Sequence, residues 1–142
     1  MALPLPTSLS PSKVSTFKDC ALAFRFSAID KLPEPPSVPA VKGTTVHRAL
    51  ELLFLDAPDL RTPERAQECL LIALQEMATN EEYLGLELDD GAATEFATTA
   101  ARMVDRYFTL EDPRSINPIG LELFLSTQLG SLLVRGIIDR LE

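Results

Sequence analysis

The apolar spacing of this chain changes period once. From Val14 to Phe108 apolar residues recur at three- and four-residue steps, and after Asp112-Pro113 they alternate. A repeat of about 3.6 lays one stripe along a helix, whereas a repeat of two lays one face along a strand, so the chain has to join a helical region to a β-hairpin. The alternating segments run from Leu121 to Leu129 and from Leu132 to Leu141, and Gly130-Ser131 between them suits a two-residue II′ turn with glycine first. A two-residue loop sets Leu129 opposite Leu132 and thereby fixes every other pair. One face collects Leu121, Leu123, Leu125, Thr127 and Leu129 against Arg140, Ile138, Gly136, Val134 and Leu132, and is predicted to be the buried one. The opposite face pairs Phe124 with Ile137, Ser126 with Arg135 and, at its far end, Glu122 with Asp139.

Four helices are predicted ahead of this hairpin. Ser10 and Pro11 read as an N-cap and first helical position, and Val14, Phe17, Ala21, Phe24 and Ala28 share one face of a helix over 11–29. Pro33, Pro35, Pro36 and Pro39 then make 31–39 an extended connector, because they remove backbone donors and fix dihedrals. A second helix over 44–56 carries Val46, Ala49, Leu50, Leu53 and Phe54. Thr62-Pro63 opens a third over 63–79, with Ala66, Cys69, Leu70, Ala73, Leu74 and Met77 on one side. A fourth over 91–109 presents Phe96, Ala97, Ala100, Val104 and Phe108, and the hairpin occupies 119–141.

With 142 residues, 46% of them apolar and 24% charged, the chain has the composition of one globular domain rather than a disordered tail. No apolar run approaches the roughly 18 residues that span a bilayer, and the start MALPLPTSLSPSK lacks the basic and apolar regions of a secretory leader, so no membrane association and a cytoplasmic location are expected. Two cysteines 49 positions apart form neither a disulfide framework nor a local metal motif. The net charge of −8 argues against a protein that depends on clustered basic residues to grip phosphates. Residues 1–50, however, hold six basic and three acidic side chains, a balance of +3 that leaves −11 for the remainder. Such asymmetry is compatible with an anionic partner and also with an ordinary solvated surface.

The Glu122–Asp139 pair is the most informative feature of the hairpin. Residues directly opposite in an antiparallel ladder have Cβ atoms roughly 4.5–5.5 Å apart, where like charges are unfavourable. At about 5 Å and an effective dielectric of about 20 the repulsion is on the order of 3 kcal/mol, and below about 1 kcal/mol in water. A divalent cation, an arginine or a retained proton would offset it. An acid turned to solvent, or a bulge at Gly136, would remove it altogether. His47, the single histidine, lies about 20° from Phe54 around its helix, at the edge of the apolar stripe. That placement suits a half-buried ring bonded to Glu51, or a neutral metal ligand. Cys69 lies within an apolar stripe and Cys20 beside one, so spacing assigns both to packing.

Several fragments taken in order resemble a known family. Ser10 to Cys20 (S-P-S-K-V-S-T-F-K-D-C), Phe24 to Phe26 (F-R-F), Pro33 to Pro36 (P-E-P-P), Gly43 to His47 (G-T-T-V-H), Glu122 to Leu125 (E-L-F-L) and Gly136 to Arg140 (G-I-I-D-R) are similar to the RecB-like exonucleases of the PD-(D/E)xK nuclease superfamily. The resemblance implies an α/β, restriction-endonuclease-like core, of which this chain carries an α+β portion: the helical amino-terminal region and the first β-hairpin. It implies that His47 and Asp139 ligate a catalytic Mg²⁺ or Mn²⁺, that Glu122 lies beside the same ion and shares its catalytic work with Asp139, and that Cys20 matches the first cysteine of a [4Fe-4S] cluster. Family members usually read Cys-Pro where this chain has Cys20-Ala21, and the other three cluster cysteines are not in this sequence.

The activity implied is metal-dependent, exonucleolytic hydrolysis of DNA in repair or recombination, with a helicase or other recombination subunit as partner. The family's next strand carries an acidic residue and a lysine, commonly D-Y-K, followed by a Q-x-x-x-Y helix. This sequence stops at Glu142 before either, so it is expected to be the amino-terminal part of a longer nuclease domain and inactive alone. Two alternatives stand beside that reading: a non-catalytic helical module that docks a protein partner, and a degenerate nuclease-fold subunit that binds DNA without cutting it.

Overall fold

A computed structural model describes residues 6–142; residues 1–5, the head of the stretch read for a leader, lie outside the described residues. In chain order the elements are β1 (Ser8–Leu9), α1 (Pro11–Asp19), α2 (Ala21–Phe24), α3 (Val38–Leu55), α4 (Pro63–Met77), α5 (Glu81–Leu84), α6 (Asp90–Tyr107), β2 (Gly120–Leu129) and β3 (Leu132–Leu141). A π-helical turn, Arg25–Ile29, continues α2. The fold is α+β, mostly helical with a small mixed sheet. No helix among the described residues is long and apolar enough to cross a membrane. The chain divides into two compact units, residues 6–34 with Glu122–Leu141 and Pro35–Leu121 with Glu142, called here the hairpin unit and the helical unit.

In the hairpin unit Ser10 caps α1 as predicted, its hydroxyl oxygen accepting from the Lys13 N–H at 3.3 Å. The helix predicted over 11–29 is broken at Cys20, which takes an extended conformation (φ −158°, ψ 106°). In an unbroken helix Phe17 and Phe24 would lie about 10.5 Å apart along the axis. The break instead brings their rings edge to face at 5.3 Å, and only Phe24 and Ala28 of the predicted stripe are buried.

The sheet has the order β1-β3-β2. β1, which the sequence pattern does not announce, pairs parallel to β3 with Ser8 beside Leu133 and Leu9 beside Val134. The turn at Gly130 has φ 62°, as the first position of a II′ turn requires. Along β3, Val134, Gly136, Ile138 and Arg140 are half-buried, while Arg135, Ile137 and Asp139 are exposed. The expectation of a buried hairpin face fails on β2, where Leu125 and Leu129 remain 52% and 70% exposed. Alternation specifies which side chains share a face but not whether another layer covers them.

The helical unit holds the dense core. α3 starts six residues before the predicted position, at Val38, because Ser37 caps it and Pro39 falls in its first turn, where a missing N–H costs nothing. Pro39 therefore belongs to the helix and not to the connector. Thr62 caps α4 through the Arg65 N–H as predicted. α3, α4 and α6 bury Ala49, Leu53, Ala66, Cys69, Leu70, Ala73, Ala100 and Val104 in one cluster, the alanines letting the helix backbones approach closely. Arg61, only 5% exposed, donates to the carbonyl oxygens of Phe54, Asp56, Pro113 and Ile116 and lies 5.0 Å from the Phe54 ring. It anchors the end of α3 to the segment that leads into β2, and four backbone acceptors are satisfied by one side chain.

Candidate metal centre

Two acids converge at the open end of the hairpin. β2 and β3, joined by the Gly130-Ser131 turn, bring a carboxylate oxygen of Glu122 and one of Asp139 within 4.8 Å of each other. The two acids that the predicted register pairs thus lie close together in space. Two ligands held at about 2.0–2.1 Å from Mg²⁺ lie about 2.9 Å apart when cis and about 4.2 Å when trans, so closing this pair on one ion asks for a side-chain adjustment of at most about 2 Å. The donor set fits a hard divalent cation, because carboxylate oxygens are the ligands Mg²⁺ and Mn²⁺ favour. Asp139 is exposed but Glu122 is half-buried with its Oε1 shielded from solvent, so water screens the repulsion only in part and it lies between the two Coulomb figures.

Glu122 carries a second mark that the sequence does not reveal. Its φ is 49°, in the left-handed region, although it lies inside a strand. A non-glycine residue there costs roughly 1–2 kcal/mol, and such outliers cluster where a side chain has to be aimed rather than merely packed. Nothing in the residue type signals this conformation, since glutamate is not among the side chains that tolerate it well.

His47 belongs to the helical unit, in the third turn of α3, and is exposed. The alternative of a half-buried ring bonded to Glu51 does not hold. Glu51 accepts instead from Arg48 at 2.9 Å, and the same guanidinium pairs with Glu76 at 2.8 Å. That contact holds the Glu76 carboxyl below the usual carboxylate range. Cys20 is exposed at the break between α1 and α2, not packed. Cys69 is buried in the helical core as expected, and burial pushes its thiol pKa up. A [4Fe-4S] cluster needs four cysteine ligands, of which the family match places Cys20 alone within these 142 residues.

A family model for the PD-(D/E)XK nuclease superfamily matches residues 8–142. The chain belongs to that superfamily, whose members are nucleases that generally use divalent metal ions. No curated protein and no solved structure matches it. The motif in the family's name, an acidic residue two positions before a lysine, does not occur in these 142 residues, whose last lysine is Lys42.

Proposed function

We propose that this chain is the metal-holding part of a RecB-like DNA exonuclease that acts in the cytoplasm in repair or recombination alongside a helicase or other recombination subunit. The observation that carries the reading is the Glu122–Asp139 pair: two like charges side by side on a hairpin, one of them on a strained backbone, within a chain of nuclease family. Glu122 and Asp139 hold one Mg²⁺ or Mn²⁺ and orient the attacking water, and His47 supplies a nitrogen ligand from α3. The bound cation supplies Lewis-acid stabilisation of the charge that builds on the phosphate oxygens. An acidic-x-lysine strand outside these 142 residues completes the catalytic set. An imidazole that ligates a metal does so as the uncharged ring, so His47 would add a ligand without adding charge and leave two carboxylates to balance the dication.

Calorimetric titration with Mn²⁺ tests this reading. The wild-type chain is expected to show a saturable heat that Asp139→Ala and His47→Ala each abolish. A heat that survives both substitutions, or no heat in the wild type, overturns it. In the second case the acidic helical unit, which carries seven basic and sixteen acidic side chains, favours the protein-docking module instead. Digestion of linear DNA gives the complementary result: the 142-residue chain is inert with Mg²⁺, and a chain extended through an acidic-x-lysine strand is active.

A further inference from the structure

The hairpin unit also contains a groove that the metal reading leaves unused. β1 ends at Leu9, paired with Val134, and the chain turns at Ser10 into α1, which releases the edge of β3 beyond that point. A groove of about 440 Å³ opens there, lined by Ser10, Ser12, Phe124, Arg135 and Ile137. Phe124 and Ile137 are 62% and 60% exposed, a large apolar surface left in water. Arg135 has no hydrogen-bond or ion-pair partner among the described residues.

We propose that this groove is the binding subsite for a single DNA strand leading to the metal centre, with Phe124 stacking on an unpaired base and Arg135 holding a backbone phosphate. This inference rests on the nuclease reading above. Three observations support it. Arg135, Ile137 and Asp139 are successive exposed residues on one face of β3, so the groove and the metal carboxylate share a continuous surface. At about 3.3 Å per residue, Arg135 lies about 13 Å along the strand from Asp139, within reach of the neighbouring nucleotides. Charge also selects this unit, since it has six basic and five acidic side chains and two of the five are the metal-binding pair. An aromatic ring beside an unpaired guanidinium is the combination that single-strand sites use, because every base has a π-face and every nucleotide a phosphate. Ser10 and Ser12, whose hydroxyls bond each other at 2.9 Å, add polar groups on the opposite wall.

Fluorescence anisotropy with a labelled twelve-nucleotide oligothymidylate, recorded in EDTA across a salt series, tests the proposal. Phe124→Ala is expected to weaken binding roughly 5- to 150-fold with the salt dependence unchanged, as the loss of one stacked base does. Arg135→Ala is expected to weaken binding and flatten the slope of log affinity against log salt by about 0.7, one phosphate contact on a single strand, while Arg135→Lys keeps the slope. Both side chains are exposed, so the variants keep the fold, which circular dichroism verifies. The proposal is overturned if the wild type does not bind the oligonucleotide, if both alanine variants bind it as the wild type does, or if a polyglutamate peptide binds equally well. Because divalent ions are excluded, failure here is separable from failure of the metal reading, which the Mn²⁺ titration decides independently.

Discussion

The two units place opposite demands on their residues. In the helical unit, α3, α4 and α6 bury Ala49, Leu53, Ala66, Cys69, Ala73, Ala100 and Val104 at 1% exposure or less, and even its buried arginine donates to four backbone carbonyls. In the hairpin unit no residue of β2 or β3 is fully buried. Phe124, Leu125, Leu129 and Ile137 face water, Glu122 takes a left-handed backbone, and two carboxylates sit side by side. Each of these features costs stability, and all of them fall where the chemistry-bearing residues are. One unit gains its stability from a dense core, and the other holds a strained backbone and neighbouring like charges, the kind of feature that clusters at functional sites.

The contrast is broken most directly by paired truncations. Leu53 has no exposed surface and is surrounded by side chains of three helices, so Leu53→Ala is expected to cost about 2–5 kcal/mol in denaturant unfolding. Leu129, 70% exposed on β2, is the same residue type in the other unit, and Leu129→Ala should cost less than about 0.5 kcal/mol. Equal losses at the two positions would show that the hairpin unit is held by burial after all.

A smaller effect of opposite sign sharpens the comparison. At φ 49° glutamate is strained and glycine is not. Glu122→Gly also removes one of two neighbouring negative charges. In the absence of divalent ions this substitution is expected to stabilise the chain by about 1 kcal/mol, the left-handed penalty less the extra freedom glycine gains when unfolded. The Mn²⁺ heat should disappear in the same variant. A variant that is destabilised instead would mean that the contacts of the Glu122 side chain outweigh the strain of its backbone.

Much of this division is legible in the sequence, and the illegible parts share a cause. The period change, the N-caps at Ser10 and Thr62, the turn at Gly130 and the proximity of Glu122 to Asp139 all depend on local chemistry, which a short window of residues carries. The break at Cys20 is hidden because apolar spacing continues through it from Phe17 to Phe24, and the contact that favours the break is tertiary. The early start of α3 is missed because Pro39 is read as a breaker, although the same residue is well tolerated once Ser37 provides the cap. Two-residue β1 is too short for any periodicity. The exposure of Leu125 and Leu129 depends on what lies above β2, which no residue in the strand encodes. At the candidate site the two acids follow from register alone. His47 enters through its resemblance to a family motif, and the backbone strain at Glu122 and the groove beside Arg135 emerge only with coordinates.

The smallest expected effect lies on the surface of the helical unit and tests whether its stability owes anything to charge. Arg48 bridges Glu51 and Glu76, with roughly a third to a half of the Arg48 and Glu76 side chains exposed. Hydrogen bonding to Arg48 lowers the Glu76 pKa in the folded chain. A carboxylate whose pKa is depressed on folding contributes stability above its unfolded value, about 4.3, and loses it as pH falls through the lower folded value. Exposure and screening keep such a pair within a few tenths of a kcal/mol. Glu76→Gln is therefore expected to lower stability by that amount at neutral pH and low salt, and the gap should close both in molar salt and below about pH 4. A gap that persists under acid would assign the loss to packing of the side chain against its helix, and the charge on this face would then serve solubility alone.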